Sequence, residues 1–131
     1  MQKIEQETKK GNSKVIKFRA WLNMQEEMLY ENIYGAEKFG GRDCEIMQYT
    51  GLKDINGIEI YEGDMVKFYI SSTTVEDIEI VAVVSFFEGT YQVMNMNGDP
   101  ISLRDAIKQT NKLNKSIEII GNIYQNPELL K

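Results

Sequence analysis

Apolar and polar residues alternate along much of the chain, and the alternation predicts strands. Residues 15–22 set Ile16, Phe18, Ala20 and Leu22 on one face and Lys17, Arg19 and Trp21 on the other, the two-residue period of a β-strand. A polar turn at 23–27 leads to Met28-Leu29-Tyr30 as the returning arm of a hairpin, which places Trp21 and Tyr30 on a shared face. Between Glu31 and Glu45 the pattern fades, and Gly35, Gly40 and Gly41 predict an irregular excursion. Extended character resumes over 45–50. Residues 52–57 then read as a turn-rich connector, because Asn56-Gly57 supplies the positive φ angles of a tight turn. A short strand over 58–61 follows, and Gly63-Asp64 turns the chain again.

The second half keeps the same punctuation. Residues 65–70 form a strand with Val66, Phe68 and Ile70 inward, and Ser71 to Thr74 make a polar loop with the character of a mobile tip. Ile78, Ile80, Ala82, Val84 and Phe86 define one long central strand, Phe87-Glu88-Gly89 turns it back, and residues 91–96 run alongside. After the turn at 97–100, residues 101–108 allow a short helix capped by Ser102, with Asp105 in its first turn and Leu103, Ala106 and Ile107 inward. A polar loop over 111–115 precedes a last strand over 116–124, and Pro127 opens a terminal helical turn.

About seven or eight strands and one or two short helices predict a mostly β fold, a β-rich member of the α+β class. The close strand spacing favours an antiparallel curled sheet, drawn as an SH3-like small barrel over about residues 58–124. The domain plan is a flexible basic lead at 1–13 and a single domain over 14–131. Within that domain lie an N-terminal hairpin (15–30), the irregular segment (31–45) and a barrel-like part (46–131).

Composition narrows the chemistry more than the fold. A chain of 131 residues fits one domain that buries roughly two thirds of the surface its unfolded form exposes. No histidine is present, which removes Ser-His and Cys-His nucleophilic pairs, the HExxH zinc helix and imidazole acid–base catalysis together. Cys44 is the only cysteine, so no disulfide forms within the chain. The first fourteen residues lack an apolar export core, and no apolar run is long enough to span a bilayer. The expected location is the cytoplasm. Residues 1–20 carry six basic and two acidic side chains, net +4, whereas residues 21–131 carry nine basic and eighteen acidic ones, net −9. An acidic body of this kind repels a phosphate backbone at long range, so only the basic arm suits nucleic acid.

Three blocks of residues resemble the YopX family of phage and prophage proteins: Ile16-Lys17-Phe18-Arg19-Ala20-Trp21; Met47 to Asp54 with Gly57, Glu59 to Asp64 and Val66; and Ile120 to Leu130. They occur in the family's order and cover about residues 15–130. The resemblance implies a small, mostly β protein encoded by phages or prophages of low-GC bacteria and acting inside the host cell. It brings no catalytic or binding residues with it. The region between Tyr30 and Glu45 and the loop from Ser71 to Thr74 depart most from the shared blocks, and individual specificity is expected there.

Candidate sites are set against plainer readings. Asp43 and Glu45, with Glu59, Glu62 and Asp64, are the carboxylates from which a Mg²⁺ cluster for phosphodiester hydrolysis would be drawn. Solvated turn positions explain them as well. The rings of Tyr61, Phe68, Tyr69, Phe86, Phe87 and Tyr91 suit base stacking only beside positive charge, yet Lys67 is the single basic residue from Asp54 to Ser102. Most of these rings therefore read as core. Lys17 and Arg19 are candidate phosphate contacts, or charges that keep an exposed strand from pairing at its edge. Gly35, Gly40 and Gly41 lack the Gly-Lys-Ser/Thr step of a phosphate cradle. The expectation is a non-enzymatic module with no catalytic, cofactor or metal residues, which self-associates and binds a host or phage protein. Its candidate interface residues are Trp21, Tyr30, Tyr69 and Tyr91. The alternative is a nucleic-acid-directed protein, acting through the basic arm as a binder or through Glu62 and Asp64 as a weak Mg²⁺-dependent nuclease.

Overall fold

The computed structural model describes residues 15–30, 43–73, 76–95 and 97–130. The basic lead at 1–13, most of the excursion at 31–45 and the Thr74 end of the polar loop lie outside the described residues. The strands are β1 (Phe18–Leu22), β2 (Glu27–Leu29), β3 (Cys44–Lys53), β4 (Glu59–Tyr61), β5 (Asp64–Ile70), β6 (Ile78–Val83), β7 (Ser85–Phe87), β8 (Thr90–Met94), β9 (Pro100–Ser102) and β10 (Glu118–Asn122). One helix, α1 (Leu103–Lys112), lies between β9 and β10, and Pro127–Leu130 forms the terminal 3-10 turn that Pro127 predicts. All described pairings are antiparallel, in the orders β2-β1-β3-β4, β10-β5-β6 and β7-β8-β9. Together they curl into a half-barrel, as the mostly β reading expects.

The core sits where α1 packs on the curled strands. Ile60, Val66, Phe68, Val84, Val93, Leu103, Ala106 and Ile117 are buried together, and Leu52, Ile70 and Ile80 pack around them. A smaller cluster, Ala20 and Leu22 with Leu29 and Cys44, holds the N-terminal hairpin. Helix α1 starts where expected, with Ser102 Oγ accepting from the Asp105 N–H at 3.0 Å. It runs past residue 108 because Thr110 turns into the core, donating its hydroxyl to the Ala106 carbonyl at 2.7 Å and accepting from the Tyr69 N–H at 3.1 Å. Ser102→Ala should lower stability by about 1 kcal/mol in urea titrations, the usual worth of such a cap.

Three local readings are corrected. The strand drawn through residues 78–86 breaks at Val84, where the chain passes from β5 as partner to β8. Val84 is pinned there by the Gly63 corner: its N–H donates to the Asp64 carbonyl at 2.8 Å and its carbonyl accepts from the Gly63 N–H at 2.9 Å. Gly63 occupies φ 86, a conformation that favours glycine. Strand β3 continues through Gly51 to Lys53, because Thr50 Oγ1 accepts the Leu52 N–H at 3.1 Å and absorbs a register shift against β4. The connector shrinks to a tight turn from Asp54 to Gly57, closed by a 3.0 Å bond from the Gly57 N–H to the Asp54 carbonyl. Finally, Pro100 opens an edge strand, β9, that alternation does not reveal.

Candidate functional site

The faces of β1 are not divided as alternation suggests. Arg19 is 2% exposed and Trp21 8%, whereas Ile16 and Phe18 reach solvent. From Arg19 onward both faces are covered: Ala20 and Leu22 pack with Leu29 and Cys44, and the opposite face turns toward the C-terminal turn. Trp21 stacks on Tyr124 there, with ring centroids 5.7 Å apart and planes at 18°. Arg19 is therefore neither a solvent-facing phosphate contact nor an edge guard, and Trp21 is part of the interior.

Arg19 is bound from several sides. Its Nη2 donates to Asp64 Oδ1 at 2.8 Å and to the Glu62 carbonyl at 3.1 Å, and Nη1 reaches the Tyr30 hydroxyl at 3.4 Å. The guanidinium lies 4.8 Å from the Tyr61 ring centroid and 5.9 Å from that of Tyr30, within cation–π range. Its Nε–H is buried with no hydrogen-bond partner among the described residues. Asp64 is equally enclosed, and its Oδ2 accepts the Tyr61 N–H at 2.8 Å. Burial pushes the Asp64 carboxyl above its ordinary value, against the pull of Arg19 and the Tyr61 N–H.

The other acids of the segment point elsewhere. Glu62 Oε1 accepts the Gln48 N–H at 2.8 Å, and Glu59 Oε2 pairs with Lys17 Nζ. Asp43 and Glu45 are exposed on the far hairpin side. The carboxylate cluster needed for a Mg²⁺ nuclease does not assemble: among the described residues no three acidic or cysteine side chains are placed to hold a metal ion. Instead, a cavity of about 310 Å³ opens beside the ion pair, walled by Arg19, Tyr30, Glu59 and Tyr61 and by Gln125 and Asn126 of the C-terminal turn.

The four aromatic candidates do not form one patch. Tyr30 is exposed at the cavity rim, edge-on to Tyr61 at 5.9 Å. Tyr69 donates its hydroxyl to Glu79 at 3.1 Å and lies under Lys115 Nζ. Tyr91 packs edge-to-face on Phe86 at 5.0 Å. The apolar surface that stands out holds two rings from the set read mostly as core: Phe86, which alternation placed on the central strand, is 51% exposed, and Phe87, read as the start of a turn, is 60% exposed, both on β7, whose only ladder partner among the described residues is β8. Two adjacent phenylalanines before a Glu88-Gly89 turn could have signalled this, because successive strand residues cannot both face one core. Beside β7 runs a groove of about 780 Å³ whose walls include Val15, Ile16, Leu52 and Tyr91.

Together the curled antiparallel half-barrel, its single described helix and the buried ion pair beneath the N-terminal hairpin define a small β-rich protein class. The chain belongs to the YopX protein family, whose model matches residues 31–131. It is similar to the crystal structure of protein EF1440 from Enterococcus faecalis, with 25% identity and a TM-score of 0.59 over 91% of this chain and 100% of that one. It shares its fold with protein yopX from Bacillus subtilis, at 23% identity and a TM-score of 0.57 over 88% of this chain and 98% of that one. No curated protein matches the chain. Among the described residues no helix is long and apolar enough to cross a membrane.

Proposed function

We propose that this YopX-family chain is a phage or prophage accessory protein that acts in the host cytoplasm as a non-enzymatic binding module, self-associating and engaging a protein partner. The observation that carries this reading is the β7 edge, where Ser85, Phe86 and Phe87 are all exposed. A free strand edge offers unpaired N–H and C=O groups, and natural proteins usually guard such an edge with charge or proline rather than with two aromatic rings. Two copies pairing antiparallel about Phe86 would set Ser85 against Phe87 and Glu88 against Val84, so no like charges meet. That matters for a body as acidic as this one. The cations for a nucleic-acid surface are less favourable, because Arg19 and Lys17 are both committed to carboxylates.

Light scattering at micromolar concentration tests the reading. The protein should be a dimer, and the Phe86→Ser/Phe87→Ser variant a monomer whose melting point is little changed, since exposed substitutions usually stay within about 0.5 kcal/mol. A parent chain that stays monomeric over that range and retains no partner from host lysate overturns the proposal. Salt-dependent retention of DNA or RNA would replace it with the nucleic-acid alternative.

A further inference from the structure

We propose that Asn97-Gly98 is a site of spontaneous deamidation in the folded chain, and that the other Asn-Gly step, Asn56-Gly57, is protected from the same chemistry by the tertiary structure. In this reaction the glycine backbone nitrogen gives up its proton and bonds to the side-chain carbonyl carbon of the preceding asparagine. The side-chain nitrogen leaves as ammonia, and water opens the resulting succinimide to aspartate or isoaspartate. Water is the only reagent consumed. Both asparagines are exposed, and the space beside each glycine is open.

The two steps sit in matching turns. Asn95 Oδ1 accepts the Asn97 and Asp99 N–H groups at 2.9 and 3.0 Å, the Asn95 carbonyl accepts the Gly98 N–H at 3.0 Å, and the Asn95 N–H donates to the Asp99 carbonyl at 2.8 Å. Asp54 makes the same bonds to Asn56, Ile58 and Gly57, at 2.9 to 3.0 Å. The two glycines take φ 82 and φ 79. Local geometry therefore does not separate the sites, and their surroundings do.

Ring closure takes the glycine proton that bonds the turn carbonyl, so each turn must open to react. The Asp54 turn is fastened to β10: Asp54 Oδ2 accepts the Ile119 N–H at 3.1 Å, and the Ile55 N–H donates to the Ile117 carbonyl at 3.1 Å. Opening it strains both ties. Among the described residues, the bonds of Asn95, Asn97, Gly98 and Asp99 stay within their own hairpin. Charge widens the difference, because the attacking nitrogen becomes negative. Gly57 lies against the buried Asp54 carboxylate, whereas Asn95 is neutral and Asp99 is exposed, where solvent screens it. Conversion at Asn97 sets a second carboxylate near Asp99, and isoaspartate adds a backbone methylene to the connection between β8 and β9. The proposal stands whether or not the chain self-associates.

The test incubates the full chain at mildly alkaline pH and follows its peptides by mass spectrometry, with fragmentation to tell Asn97 from Asn95. Asn97 should convert at least about 10-fold faster than Asn56, the ratio that one strong hydrogen bond among the ties to β10 is worth. In concentrated urea, where neither turn survives, the two should convert at similar rates. Asp54→Ala should raise the Asn56 rate and leave the Asn97 rate as it was, so Asn97 reports whether that variant keeps its fold. The comparison within the parent chain stands without the variant. Asn97 converting no faster than Asn56 in the folded parent chain overturns the proposal. So does a folded Asp54→Ala chain whose Asn56 rate is unchanged.

Discussion

Arg19→Met will destabilise the protein by about 3–5 kcal/mol at neutral pH, because it strands the Asp64 carboxylate in the interior with one of its two supports removed. Asp64 is 2% exposed, and the 2.8 Å bond from Arg19 Nη2 is its only charged contact among the described residues. A loss of that size is a large share of the roughly 5–15 kcal/mol that holds a domain together. Lys17→Met, which breaks the exposed pair with Glu59, will cost far less, because solvent screens that pair. Acid separates the two causes further. Burial raises the folded-state pKa of Asp64 above its unfolded value, so the folded chain holds that proton more tightly. The group's contribution is therefore full below the unfolded pKa, declines as pH rises through the folded pKa, and is level above it. Removing Arg19 raises the folded pKa further, so the Arg19→Met deficit should shrink on acidification. Urea titrations from about pH 7 down to about pH 4 measure this. A deficit independent of pH, or one no larger than that of Lys17→Met, would show that the pair does not bear on stability.

Asp54→Ala will cost about 3 kcal/mol, through hydrogen bonds rather than charge pairing. The Asp54 side chain is buried, and its Oδ1 accepts the N–H groups of Asn56 and Ile58 at 2.9 and 3.0 Å. Its Oδ2 accepts the Ile119 N–H at 3.1 Å, 65 residues away. One carboxylate thus shapes the turn before β4 and fastens that turn to β10. The Ile55 N–H donates to the Ile117 carbonyl at 3.1 Å beside it. Alanine leaves the turn donors to water and the Ile119 donor without a partner. Amide exchange at Ile119 should accelerate, and the urea midpoint should fall, while Glu88→Ala at an exposed turn stays within about 0.5 kcal/mol. An Asp54→Ala midpoint as close to that of the parent chain would refute the fastening role.

The legible parts of this protein are those in which neighbours along the chain decide the outcome. Gly57 takes φ 79 in the turn where Asn56-Gly57 predicts one. Ser102 caps α1 through the expected bond, and Val66 and Phe68 are core. Other positions resist reading because their partners are remote. Charged side chains are rarely buried unless paired, and nothing near Arg19 in sequence announces a partner at Asp64, 45 residues on. Asp54 reads as an ordinary turn acid until β10 arrives beside it. Phe86 continues a sound alternation, and only the change of partner at Val84 turns it outward.

The amino-acid order by itself determined the antiparallel β class, the main turns, the helix cap and the YopX resemblance. Each of these depends on periods and turn geometries set within a few residues. The tertiary structure alone decided that β1 is covered on both faces, that the strand divides at Val84, that Arg19 and Asp64 meet inside, and that a cavity remains beside them. Burial depends on which distant elements come to lie on a given face, and a local pattern carries no record of that.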